Sequence, residues 1–267
     1  MTIAYDAAGD GPAVVLLHSG VCDRRMWDPQ WPVLAAAGYR VVRCDLRGYG
    51  DTPPATERYS DAADVSDLMD ALGLDQVAFI GSSYGGKVSL EVAALHPDRV
   101  AALALLCSAR PELASLAGET PYGGPGPELM AFGAQEDELL EAGDVEGAVD
   151  LNVRTWLGPE ASDRVREQVH DMQRHAFGLQ LTAEDVERDD PEVDLSAIHA
   201  PSLVVSGGRD LADFRQIAVE LSGLLAGASH VELPWAGHLP SLERPADVTA
   251  MLVDFLTVRF TRPVTAS

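Results

Sequence analysis

The chain has 267 residues, 46% apolar and 23% charged, which fits one α/β domain with room for a sizeable insertion. Its 42 acidic against 19 basic side chains leave a formal charge of −23. Neither nucleic acid nor an anionic membrane is therefore expected as a partner, since each needs a basic patch.

Residues 1–6 carry no basic leader and no long apolar stretch, and no run reaches the roughly 18 apolar residues of a membrane span. A cytoplasmic protein is expected. The first apolar run, Ala13–Leu17, reads as a strand that ends in His18-Ser19-Gly20. A helix is expected over residues 27–37, closed by Gly38. Arg40–Cys44 is the next strand and leads into Asp45-Leu46-Arg47-Gly48-Tyr49-Gly50. Residues 60–72 read as a helix with Ser60 as N-cap and Gly73 as stop. A strand over residues 76–80, the sequence Gly81-Ser82-Ser83-Tyr84-Gly85, a helix to Leu95 and a strand over residues 100–107 follow. Such alternation implies a mostly parallel sheet with helices on both faces.

The pattern changes between Pro111 and Asp194. Gly and Pro concentrate at residues 118–127, and helical periods follow at 128–141, 145–156 and 162–177. Strand and helix then resume at 202–206, 213–225, 230–233 and 245–260, and residues 261–267 read as a loose tail. Residues 1–110 and 195–267 are thus expected to form the α/β core, and residues 111–194 a helical cap inserted between two strands. Acidic residues cluster at 61–70, 136–146 and 184–194, as on solvated faces. Cys22, Cys44 and Cys107 are scattered without a C-x-x-C pair and read as buried reduced thiols.

Chemistry concentrates at the Gly-x-Ser-x-Gly turn. A strand running into it and a helix leaving it would hold Ser83 on a sharp bend with φ > 0, the pattern of a nucleophile elbow. Gly81 and Gly85 have a mechanical reason to be there, because side chains at those positions would collide where strand and helix cross. A serine nucleophile needs a base and a group to orient that base. In parallel α/β sheets both should lie just beyond the carboxyl ends of strands. Of the seven histidines, His238 fits best, following the last strand between Gly237 and Pro240. His230 lies at a strand start, His96 at a helix end and His199 in a connection. His170 and His175 fall on insertion helices. Asp210 follows the strand over residues 202–206 and is the candidate acid. Asp213 is its rival, and one of the two carboxylates is expected to cap the helix that begins there. Two N–H donors must receive an oxyanion: Tyr84 supplies one at a helix N-terminus, and Gly20 suits the other.

His18-Ser19-Gly20, Asp45-Leu46-Arg47-Gly48-Tyr49-Gly50, the Ser83 turn, Gly207-Gly208-Arg209-Asp210 and Gly237-His238 occur in that order. Together they resemble the α/β-hydrolase fold superfamily in its capped esterase, lipase and C–C-hydrolase branch. The resemblance spans nearly the whole chain, the insertion excepted. It implies a serine hydrolase acting on an ester, lactone or thioester of a small to medium apolar acid. A C–C hydrolase, a non-hydrolytic lyase or cyclase, and a ligand-binding protein are the alternatives. Ser19 stands where the family usually has Gly, which leaves the second donor open. Arg47 is expected to anchor loops, and a serine at position 83 disfavours the branches that place an aspartate there.

Asp23-Arg24-Arg25 reads as a helix-start charge cluster in preference to a site for an anionic substrate. Lys87 reads as a surface or packing residue. Trp156 and Phe177, with Trp27, are divided between an apolar pocket and core packing, and His18, Ser19 and Val21 are further pocket candidates. No metal-ligand spacing, carboxylate–histidine cluster, dinucleotide loop or P-loop is apparent, so no metal or cofactor is expected. The expected partner is a small-molecule substrate, with a homodimer left open.

Overall fold

Aliphatic runs too short for helices, and without polar alternation, form the middle of a seven-stranded sheet. Its strands are Tyr5–Ala8 (β1), Ala13–Leu17 (β2), Arg40–Cys44 (β3), Val77–Ser82 (β4), Val100–Leu106 (β5), Ser202–Gly207 (β6) and Ser229–Leu233 (β7). The structure, a computed structural model, describes residues 3–111, 113 and 125–260. The spatial order is β1-β3-β2-β4-β5-β6-β7, parallel throughout except for β1, which pairs antiparallel with β3. β2, β4 and β6 are buried along their length and β5 at every residue but Ala101, so periodicity of two shows only in which face each residue serves. Val15, Leu17, Phe79, Leu103 and Leu105 pack on one side, while Val14, Leu16, Ile80, Leu106 and Val205 pack on the other. Each such side chain contributes about 1.5–3 kcal/mol by leaving water.

The helices are Trp31–Ala36 (α1), Asp61–Ala71 (α2), Tyr84–Leu95 (α3), Pro127–Glu141 (α4), Val145–Trp156 (α5), Asp163–Gln180 (α6), Ala212–Leu224 (α7), Pro240–Glu243 (α8) and Pro245–Arg259 (α9). Local chemistry places their ends. Ser60, Asp144 and Ser162 each accept a first-turn N–H, and Gly73 follows α2 at φ 64°.

One expectation needs correction, and one strand was not foreseen. The helix over residues 27–37 is instead a 3-10 turn, Arg24–Trp27, followed by α1. Pro29 lies between them and has no N–H to continue a helix, whereas Pro32 fits the first turn of α1. β1 had no signal in sequence, because Tyr-Asp-Ala-Ala lacks an apolar run; it is an edge strand fixed by pairing Tyr5 with Cys44.

Between β5 and β6 the described chain contributes α4, α5 and α6, with no strand of the sheet. α5 and α6 share a small core of Ala148, Val149 and Phe177, and α6 runs past the expected end at 177 to Gln180. The segment after α6 returns along the core, where the Asp189 N–H donates to the Tyr59 carbonyl at 2.7 Å. Most of the Gly- and Pro-rich stretch and the tail at 261–267 lie outside the described residues. Among the described residues no helix is long and apolar enough to cross a membrane.

Candidate active site

β4 ends at Ser82, and α3 starts two residues later. Between them Ser83 adopts φ 51° and ψ −113°, conformations that cost an L-residue about 1–3 kcal/mol. Neighbouring backbone holds it there: the Ser83 N–H donates to the Leu106 carbonyl at 2.9 Å, and the Ala109 N–H donates to the Ser83 carbonyl at 3.0 Å. The flanking glycines are steric necessities. A Cβ on Gly81 would lie 2.5 Å from the Gly85 carbonyl oxygen, and one on Gly85 would lie 2.3 Å from that of Leu17.

His238 follows β7, and its Nδ1 donates to Asp210 Oδ2 at 2.7 Å, with both side chains almost wholly buried. The second carboxylate oxygen of Asp210 accepts the Leu211 N–H at 2.7 Å. With Nδ1 committed as a donor, the acceptor left on the neutral imidazole is Nε2. The ring is wedged between Phe214, at 4.2 Å between centroids, and Trp156, at 4.7 Å. Its backbone N–H donates to the Trp156 carbonyl at 3.0 Å, so α5 helps to place it. One residue earlier, the Gly237 N–H donates to Glu243 at 3.0 and 3.1 Å, and burial raises the Glu243 pKa.

The structure separates Asp210 from Asp213. Asp213 is buried but makes no hydrogen bond through Oδ1, and it lies against Gly126. Neither aspartate caps α7 at Ala212, contrary to expectation: Glu128 of α4 accepts the Ala212 N–H at 2.7 Å. Trp156 stands on the imidazole, with its Nε1 donating to Asn152 at 2.8 Å. Phe177 belongs to the α5–α6 core, and Trp27 to the sheet core. His18 has both ring nitrogens engaged, Nδ1 with the Ser19 carbonyl at 2.8 Å and Nε2 accepting the Leu46 N–H at 3.0 Å. It ties two loops together, and the Ser19 N–H meets Met26 Sδ at 3.3 Å. Val21 is partly buried against the core that holds Trp156. A Cβ on Gly20 would lie 3.6 Å from Tyr84 Cβ, so the two expected N–H donors belong to neighbouring residues.

The charged candidates resolve into internal pairs. Arg24 meets Asp6 at 3.0 Å, Asp51 at 2.6 Å and also Asp45, while Arg25 is chelated by Asp23. Arg47 grips Asp64 with two bonds of 2.5 and 2.7 Å, tying its turn to α2. Of the two readings of Lys87, packing is the one seen: it is largely buried and bridges Glu91 at 2.9 Å and Asp190 at 2.6 Å.

One cluster was absent from the sequence reading. Donor atoms of Cys107, Asp210 and His238, all buried, lie within 4.8 Å of one another, close enough to hold a metal ion. Cys107 has φ 45°, and its thiol meets the Gly237 carbonyl at 3.7 Å. Burial, helped by Asp210, pushes that thiol well above its ordinary pKa. Residue spacing hid the trio because its members come from the ends of three strands. A signal did exist: Cys107 follows β5 as Ser83 follows β4. Phe214 and Glu243 were also missed, and neither carries a local motif.

Two of the clefts among the described residues are lined without Ser83, Asp210 or His238. One, of about 760 Å³, lies between Arg24, Arg25 and Gly50 and the α6 residues Asp171, Arg174 and His175. The other, of about 280 Å³, is lined by Arg47, Tyr49, Tyr59, Tyr84 and Arg188.

A parallel sheet crossed by helices, with serine, histidine and aspartate at its carboxyl edge, defines the α/β-hydrolase class. The chain belongs to the alpha/beta hydrolase fold family, whose model matches residues 12–245. It is 24% identical to the bifunctional epoxide hydrolase 2 of Rattus norvegicus over 97% of this chain, but spans only 54% of that protein's length. The enol-lactonase from Burkholderia xenovorans LB400 is 29% identical and superposes with a TM-score of 0.74, with 96% of each chain covered. A thermophilic esterase from Thermogutta terrifontis shares the fold at 24% identity and a TM-score of 0.76, over 97% of this chain and 94% of its own.

Proposed function

We propose that the protein is a serine hydrolase that cleaves an ester, lactone or thioester of a small to medium apolar acid. Ser83 Oγ attacks the acyl carbon while His238 Nε2 takes its proton, and Asp210 holds the imidazole and offsets its developing charge. The oxyanion is received by the N–H groups of Tyr84 and Gly20. Collapse expels the alcohol or thiol, which leaves with the proton from His238. Water, deprotonated by the same imidazole, then hydrolyses the acyl-serine. The helical insertion serves as a cap over this edge of the sheet, and Trp156 of α5, packed on the imidazole, gives the pocket an apolar wall.

The observation that carries this reading is the buried 2.7 Å bond between His238 and Asp210, at the same sheet edge as a serine with φ 51°. The likeness to an enol-lactonase at 29% identity supports a lactone or ester substrate. The epoxide-hydrolase relative supports the fold; position 83 here is a serine, suited to acyl transfer.

A fluorophosphonate probe, combined with a panel of acyl-chain lengths, lactones and a control epoxide, tests the proposal. Stoichiometric labelling that vanishes in Ser83→Ala is expected, together with turnover of esters or lactones that Ser83→Ala abolishes. Turnover of the epoxide alone, or labelling that survives Ser83→Ala, would refute it.

A further inference from the structure

Tyr84 has two aspects. Its backbone begins α3 directly after Ser83, and its Cβ lies beside the position of Gly20. Its phenol ends in a cluster of charged groups. The phenol donates to a carboxylate oxygen of Asp61, which is 5% exposed at the first turn of α2, and accepts from Arg188 Nη1 at 2.8 Å. The Arg188 guanidinium stands 5.2 Å from the centre of the ring, and the Lys87 ammonium 5.6 Å. Those cations are fixed in turn, Arg188 by two-pronged contact with Asp190 at 3.0 to 3.1 Å, and Lys87 by Glu91 and Asp190. Burial raises the phenol's pKa, so it stays a donor to Asp61.

Arg188 and Asp190 lie on the segment that returns from the insertion, 104 residues from Tyr84 in the case of Arg188. Gathering that much charge has a desolvation cost that hydrophobic residues of the same volume avoid, so stability alone is a poor reason for it. Location supplies a better one. An oxyanion donor must stand about 2.7–3.1 Å from the developing charge, and a misplacement of about 1 Å costs on the order of 100-fold in rate. Only two torsions, χ1 and χ2, separate the ring of Tyr84 from its Cα, and α3 fixes the backbone on the other side, so a held phenol restricts the positions open to the amide.

We propose that Asp61 and Arg188 act on the Tyr84 phenol as positioning groups for the Tyr84 N–H, so that the chain returning from the insertion sets the oxyanion donor. The proposal rests on the serine-hydrolase reading above and deepens it. Lys87 and Asp190 support the same clamp by holding the cations against the ring.

The test compares wild type with Tyr84→Phe, Arg188→Gln and Arg188→Lys, using active sites counted by fluorophosphonate labelling taken to completion. The kinetic constants for an ester, the Ki of a trifluoromethyl ketone and the Tm are measured for each. Trifluoromethyl ketones form a tetrahedral adduct on serine and so report the oxyanion site directly. The expected result is a fall of about 10- to 100-fold in kcat for Tyr84→Phe and Arg188→Gln, with KM within about twofold. The Ki should rise by the same factor as kcat/KM falls, and Arg188→Lys should recover part of both. A Ki unchanged while Tm drops, or no change in any variant, overturns the proposal. Arg188→Gln alters a half-exposed side chain, so it keeps the test sound if Tyr84→Phe folds poorly. Failure of wild type to label sinks the serine reading and this proposal together. Labelling of wild type with no change in Ki sinks this proposal alone.

Discussion

Replacing Asp210 by Asn keeps the shape of the side chain but removes the charge that faces His238. The two groups meet at 2.7 Å with side-chain exposures of 1% and 2%, so water does not screen them. A unit-charge pair about 4 Å apart, centre to centre, at an effective dielectric of about 20 is worth about 4 kcal/mol. In the proposed mechanism that stabilisation appears only when the imidazole takes the serine proton, so it acts on the transition state and corresponds to about a thousandfold in kcat at 1.4 kcal/mol per decade. The amide of Asn can also turn its NH2 toward Nδ1, which favours the tautomer with the proton on Nε2 and disables the base; with that loss the fall approaches about 10⁴. The assay is steady-state turnover of an ester by Asp210→Asn and Asp213→Asn, beside the thermal melts of both. Asp213→Asn should stay within about threefold of wild type, because that carboxylate has no bond to the imidazole. If Asp210→Asn keeps more than a tenth of the activity, or Asp213→Asn loses as much as Asp210→Asn, the assignment of the orienting acid is wrong.

Gly85→Ala would place a methyl group 2.3 Å from the Leu17 carbonyl oxygen and 2.6 Å from that of His18. Overpacking of this kind costs about 1–3 kcal/mol or more, read as a Tm lowered by about 2–10 °C; an unchanged Tm would mean that the strand and helix do not cross this closely. Burial pushes the Asp23 carboxyl up, but hydrogen bonds from the Arg25 side chain and backbone outweigh it and hold the pKa below 3.8. A depressed carboxyl stabilises the fold above its unfolded pKa and loses that contribution as pH falls through the folded value. The Tm gap between wild type and Asp23→Asn should therefore be full near neutral pH and close in acid; a gap that widens in acid contradicts the pairing. Burial also raises the thiols of Cys22, Cys44 and Cys107, so a thiol reagent should leave the native protein unmodified and count all three only after denaturation; rapid reaction of any one in the native state contradicts its burial.

How much of this was legible in sequence depends on where the determining contacts lie. β2, β4 and β5 announce themselves because strands buried on both faces are continuously apolar, and β3 and β6 show shorter β-branched cores, while β1 owes its existence to the edge of β3 and carries no signal of its own. α5 and α6 were legible from their helical period, and the caps that start them, Asp144 and Ser162, act within one turn. The break at residues 28–30 turned on Pro29, a local cue outweighed by the apolar residues on either side. In the site, the strand–turn–helix around Ser83 is local and therefore readable, as is the chain order of serine, aspartate and histidine. Asp210 was preferred to Asp213 because it lies nearer the end of β6, but the contact that separates them was not readable, because it depends on which carboxylate faces an imidazole contributed from beyond the next strand. Glu128 reaching Ala212, 84 residues away, and Arg188 reaching Tyr84 are likewise products of folding that no window of sequence contains.

The positive φ of Ser83 bears on how its variants should be compared. Alanine at that position removes the hydroxyl and keeps the unfavourable backbone; glycine removes both. Ser83→Gly is therefore the variant in which the molecule recovers conformational energy that it otherwise holds in reserve for its proposed nucleophile, about 1 kcal/mol or more. The two inactive proteins should differ in melting temperature, glycine above alanine, in reverse of the usual ranking of those residues. An inverted ranking of that kind measures in degrees what the protein gives up in durability to keep one oxygen atom aimed.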